Sequence, residues 1–244
     1  MKNFLTILFF CGSTCILADA PIFFSKTKTQ YTIDWGSCPM KTAADLAIVL
    51  AREFDQSKSL YTLKQKMIDE RWQENYFVSD YSISFNPVKS ILSFKFSCPR
   101  LLARVQITRE GGQQYMASLV EDGKIYDPQY EVVLRREKMI AGNIPYFAVS
   151  LTSVNEQKHL PVVQLLKQMK PSIYQKISEV IFNDTQELTL IVKTKLGATT
   201  VFLGREYWDE KMNKLSKIED YFNQQTRQPK IINLTSNKKV VVRF

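Results

Sequence analysis

The 244-residue chain is poor in the side chains that carry most enzyme chemistry. It has one histidine, His159, and four cysteines, with no C-x-x-C pair among them. His159 lies in a polar stretch, with no cysteine or carboxylate cluster at ligand spacing beside it. It therefore reads as a surface-loop residue, not as a metal ligand or a general base. No P-loop, G-x-G-x-x-G or G-x-S-x-G occurs, which excludes the nucleotide-binding and hydrolase classes that depend on them. The acidic pairs Asp209-Glu210 and Glu219-Asp220 fall on the polar side of a helix, where solvation accounts for them. With eight glycines, nine prolines and no internal repeat, the chain is neither low-complexity nor a solenoid.

What is present is a globular composition, 45% hydrophobic and 23% charged, with room for one large domain or two small ones. The start stands apart. Asn3 to Ala18 is uncharged and holds Phe4, Leu5, Ile7, Leu8, Phe9, Phe10, Ile16 and Leu17. A bilayer-spanning helix needs about 20 apolar residues, a length that Phe4 to Phe24 reaches if Asp19 sits at the far interface. The competing reading is a cleaved signal with an Ala18-Asp19-Ala20 site, against which Pro21 fits a protease poorly. Both readings place the rest of the chain outside the cytoplasm.

A net charge of +9 raises nucleic acid as a partner, but the basic residues between Arg205 and Arg243 are interleaved with Glu206, Asp209, Glu210, Glu219 and Asp220. No RNA-binding signature or finger accompanies them, so the chain is read as having no nucleic-acid partner. Of the cysteines, Cys11 and Cys15 belong to the apolar run. Cys38 and Cys98, each in a Ser-Cys-Pro context, are either a disulfide of the exported part or two buried thiols.

Along the chain, Tyr31, Ile33 and Trp35 alternate with polar residues and stop at Gly36, as a strand does. Thr42, with Asp45 three residues on, predicts a capped helix start, and Ala43, Leu46, Leu50 and Phe54 form its apolar face. Leu60, Leu63 and Met67 predict a second helix. Tyr81–Phe85 and Leu92–Phe96 alternate around Asn86-Pro87, giving a small β-α-α-β-β unit with helices on one sheet face.

Farther on, Tyr115–Val120 and Lys124–Tyr126 flank a hairpin-like Glu121-Asp122-Gly123. Val162, Val163, Leu166 and Met169 predict a helix ending before Pro171. Ile177–Phe182, Leu188–Thr194 and Thr199–Leu203 read as strands, and Met212, Leu215, Ile218 and Phe222 as a helix face. Ile231–Leu234 and Lys239–Phe244 finish as strands. For Val240 and Val242 a buried final strand and an exposed sheet edge stay open; Lys238-Lys239 suits an edge guarded against aggregation.

In this order the elements resemble the bacterial division protein family FtsQ/DivIB. Gly36 followed by Thr42-Ala43-Ala44-Asp45-Leu46 is similar to the family's glycine-ended first strand and first helix. Tyr76-Phe77-Val78, Tyr81, Ile83 and Pro87, then Ala103-Arg104, resemble its next segments. Leu119 to Tyr126 looks like its hairpin, and Ile144-Pro145 like its L-P. Gly197 to Gly204, Lys211, Leu215 and Ile232-Asn233-Leu234 follow its closing pattern, so the resemblance covers about residues 30–244. Cys98, Leu101 and Asn233 depart from the usual glutamate, proline and aspartate.

The resemblance implies an α+β chain. Residues 1–3 would be a short cytoplasmic tail and 4–24 a retained transmembrane anchor. Residues 25–105 would be a POTRA-like β-α-α-β-β domain and 106–244 a larger, mostly antiparallel β domain with peripheral helices. It implies a non-catalytic scaffold in the bacterial inner membrane at the division septum, with its bulk in the periplasm and no cofactor, metal or small-molecule substrate. Partners would be division proteins of the FtsB/DivIC and FtsL type. The partner-binding positions carried over are Thr235, Ser236, Lys239, Val240, Val241, Val242, Arg243 and Phe244, by strand addition to a C-terminal edge. The parallel neighbours expected within the POTRA-like unit also bring Cys38 toward Cys98. The alternatives are a POTRA-bearing secretion or outer-membrane assembly factor and a periplasmic glycan-binding protein or hydrolase.

Overall fold

Alternation of apolar and polar side chains in Gln30–Asp34 (β1), Asp80–Asn86 (β2) and Ile91–Ser97 (β3) yields three short strands, each with one face turned inward, half-buried in β1. The computed structural model describes residues 28–140, 142–222, 225 and 227–244. The strands form a sheet of order β1-β3-β2, with β1 parallel and β2 antiparallel to β3. Between β1 and β2 run helices α1 (Met40–Ser57), α2 (Leu60–Asp69) and the single turn α3 (Trp72–Asn75). Leu46, Leu50 and Phe54 of α1 pack with Leu63, Met67, Leu92, Phe94 and Phe96 into one core. Each such large side chain contributes roughly 1.5–3 kcal/mol by leaving water. Gly36 ends β1 at φ +52°, and a Cβ there would lie 2.3 Å from the Phe96 carbonyl oxygen. Only glycine satisfies both demands.

Helix α1 does not begin at Thr42. It starts at Met40 behind Pro39, which offers no side-chain cap. The N–H groups of Met40 and Lys41 donate instead to the Glu137 carboxylate, at 3.0 Å for Lys41. The predicted capping box fails because the free N–H groups lie upstream of Thr42 and a distant residue satisfies them.

The chain then changes sheets through Cys98-Pro99-Arg100. The second sheet has nine strands in the order β12-β11-β10-β9-β8-β7-β4-β5-β6. They are β4 (Leu101–Thr108), β5 (Gln114–Val120), β6 (Ile125–Tyr126), β7 (Tyr146–Ser150), β8 (Ile177–Phe182), β9 (Leu188–Thr194), β10 (Gly197–Gly204), β11 (Ile231–Asn233) and β12 (Val241–Arg243). Three of the pairings are parallel, β4–β7, β7–β8 and β10–β11, so the sheet is mixed and the class α+β. β4 runs unbroken across positions 105 and 106.

The helices α4 (Gln129–Arg136), α5 (Leu151–Asn155), α6 (Leu160–Gln168), α7 (Pro171–Tyr174) and α8 (Trp208–Phe222) connect these strands. The apolar faces of α6 and α8 cover Val105, Ile107, Phe147, Val180, Leu190 and Val201. A bulge between Leu101 and Ala103 returns Leu101 to the opposite face, beside Val120. There Tyr130 and Leu134 of α4 cover both. Arg104 on that face pairs with Glu131, which also takes Arg135 at 2.6 Å. These cations hold the Glu131 carboxyl below its usual value, against the opposing pull of burial.

Two side-chain expectations are corrected. His159 is 3% exposed, because the turn around Gly123 lies over the start of α6 and its carbonyl meets His159 Nε2 at 3.2 Å. Glu219 is not a purely solvated acid: it accepts Lys176 Nζ at 2.9 Å with little of its side chain exposed. The apolar run 4–24, with Cys11 and Cys15, lies outside the described residues. Among the described residues no helix is long and apolar enough to cross a membrane.

Candidate partner-binding edge

A sheet of this order has two ends, and they differ. At the β6 end Tyr126 packs edge-on against Phe77, which follows α3, at 5.9 Å. Phe77 also meets Tyr130 at 4.8 Å. The chain's own first unit thus occupies that end. The β12 end bonds only to β11 on its inner side, leaving a row of main-chain groups facing outward.

The predicted residues divide into two groups there. Val240, Val241 and Phe244 are 43%, 52% and 59% exposed, and Lys239 and Arg243 are exposed as well. Val242 is half-buried opposite Ile232, and Phe244 packs edge-on against Phe222 at 5.7 Å. By alternation Val242 and Phe244 point toward α8, while Val241 and Arg243 share the other face. The expected Lys239–Phe244 strand is paired only over Val241–Arg243. Thr235 and Ser236 are instead committed to the chain's own turn. Thr235 donates through its N–H and hydroxyl to Asn233 Oδ1 at 2.9 and 2.7 Å. Ser236 Oγ accepts the N–H groups of Lys238 and Lys239 at 3.3 Å.

Lys230, Lys238, Lys239 and Arg243 ring this edge, and none has an ion-pair partner among the described residues. Behind it lies Lys211, 2% exposed, whose ammonium donates to the carbonyls of Leu203 at 2.7 Å and Thr235 at 3.3 Å. Burial pulls its pKa below the ordinary lysine value. The sequence held a signal for it, since 211, 215, 218 and 222 share one helical face and three of them are apolar. Three residues along the helix, Lys214 places its Nζ on the Asn237 carbonyl at 2.7 Å.

No group of three potential metal ligands occurs among the described residues. Cys38 and Cys98 are bonded, with Cα atoms 4.7 Å apart, beside a mostly apolar cavity of about 540 Å³ lined by Leu134, Met139, Ile144, Met169 and Tyr174. The disulfide fastens the turn before α1 to the segment that enters β4, so it is structural cross-linking at the junction of the two sheets.

Residues 109–235 match the family described as Cell division protein FtsQ/DivIB, C-terminal. That is more than half of the chain. The protein belongs to the FtsQ/DivIB family. No curated protein matches it. The matched segment runs from the β4–β5 turn to Thr235 and so holds most of the nine-stranded sheet, with Lys211 and Gly204 inside it. FtsQ/DivIB is a non-enzymatic division family, and membership assigns the chain to cell division. Of the carried-over positions, Thr235 falls within the match, while Ser236 and the β12 residues lie beyond it.

Proposed function

We propose that this FtsQ/DivIB protein is a non-catalytic, membrane-anchored scaffold of the bacterial division complex. Residues 4–24 anchor it in the inner membrane, and its periplasmic part links septal cell-wall machinery. The observation that carries this reading is the unpaired β12 edge, with Val241 and Phe244 more than half exposed. A partner strand of the FtsB/DivIC type, working with an FtsL-type protein, adds to β12 through main-chain hydrogen bonds, and alternate side chains set the register.

The unpaired cations at this edge oppose pairing between two copies of the chain and favour a partner strand bearing carboxylates. The β1-β3-β2 sheet with its α1–α2 helices supports a POTRA-like assignment for the first unit. It acts as a spacer between the anchor and the edge.

The test is capture of FtsB/DivIC-type and FtsL-type proteins from the same genome, by two-hybrid assay and by pull-down, with and without residues 239–244. The truncated chain is expected to lose the FtsB/DivIC-type partner while keeping its thermal midpoint. Undiminished binding by the truncated chain refutes the edge reading.

A further inference from the structure

The β11–β12 hairpin is too small to define its own position. Each strand has three residues, and three paired positions join them. A one-residue slip of β12 would turn Val242 outward and Val241 inward. What opposes such a slip comes from α8. Lys211 and Lys214, three residues apart and so on neighbouring positions of one helix side, reach the same turn. Lys211 Nζ bridges the Leu203 carbonyl at the end of β10 and the Thr235 carbonyl just past β11. Lys214 Nζ takes the Asn237 carbonyl. At the far end of α8, Phe222 holds Phe244. The hairpin is thus gripped at its turn and at its tip by one helix. Gly204 ends β10 beside Thr235 at φ +71°, a conformation that glycine adopts without strain.

A buried ammonium is costly unless its protons are used, and at Lys211 they go to carbonyls that strand pairing leaves free. We propose that Lys211 and Lys214 form a clamp that fixes the position and register of β12, making them positioning residues for the sheet edge. That the positioned edge serves a partner rests on the reading given above. The clamp makes no contact with a partner itself; it acts through Thr235 and Asn237.

Hydrogen exchange on the full-length chain tests the clamp directly. In Lys211→Met the amides of β12 that bond to β11 are expected to exchange at least tenfold faster, while those of Leu188–Thr194 in β9 keep their wild-type rates. Lys214→Met, a surface change that leaves the core intact, is expected to give a smaller acceleration confined to residues 237–243. Lys211→Arg keeps the donors and is expected to retain most of the protection. Unchanged β12 exchange in both methionine variants overturns the clamp, as does acceleration of β9 and β12 in equal measure, which signals general loosening. Binding of the FtsB/DivIC-type partner is measured on the same variants. Faster β12 exchange in the methionine variants supports the clamp whatever the partner does, while undiminished binding by the chain lacking residues 239–244 removes the edge reading, so the two claims fail separately.

Discussion

Removing the Glu137 carboxylate should unfasten the start of a helix in the other sheet's unit. Helix α1 has no cap of its own, and Glu137 accepts its first two N–H groups. A side-chain cap contributes about 0.5–2 kcal/mol. A negative charge at a helix N-terminus adds about 0.3–1 kcal/mol, reduced where solvent screens it. Glu137 is half-buried, so Glu137→Ala is expected to cost about 1–2 kcal/mol in all. Glu137→Gln keeps one acceptor and loses the charge, and should cost about half as much. In urea titrations the midpoint should move down by about 0.5 M for the alanine variant, and the amides of Met40–Ala43 should exchange faster. At 1 M salt the glutamine and wild-type proteins should draw closer together, because only the charge component is screened. An unmoved midpoint together with unchanged exchange at residues 40–43 would refute the capping argument.

Three further outcomes are expected. Replacing both Cys38 and Cys98 by serine opens a loop with a sequence separation of 60 and should cost about 4 kcal/mol, read as a lower denaturation midpoint. Glu131→Gln removes a carboxylate whose folded pKa lies below its unfolded one. Its stabilisation is present at neutral pH and fades as pH falls below about 4.3; the variant should be about 1–3 kcal/mol less stable at pH 7 and show a flatter acid slope. Gly36→Ala forces a Cβ against the Phe96 carbonyl oxygen at 2.3 Å with φ at +52° and should cost at least about 2 kcal/mol, seen in thermal unfolding.

Period carried most of the fold. The two-residue alternation of Tyr81–Phe85 and Leu188–Thr194, and the helical stripe of Leu46, Leu50 and Phe54, each reappear as strands or a helix at those places. What period did not reveal depends on partners far away in sequence. The cap on α1 comes from Glu137, and the burial of His159 comes from a turn at Gly123. α4 and β7 were unreadable because the elements are short and apolar residues fall on both faces, Val132 outside α4 and Tyr146 and Ala148 outside β7, which blurs the period. At the candidate site the final strand was legible from its valines and lysines. The inward commitment of Thr235 was not, because its main-chain oxygen, not its side chain, meets Lys211.

The Cys38–Cys98 bond also changes how tension travels. A pull applied to β1 and resisted at β12 need not pass through everything between. At Cys38 the covalent path can jump straight to Cys98 and on into β4. Helices α1 and α2 and strands β2 and β3 then hang off the line of force as a side loop. With the bond reduced, that unit would lie in series and its cores would bear the load. In the anchored, partnered role proposed above, one cross-link would decide whether the first unit unspools or merely rides along.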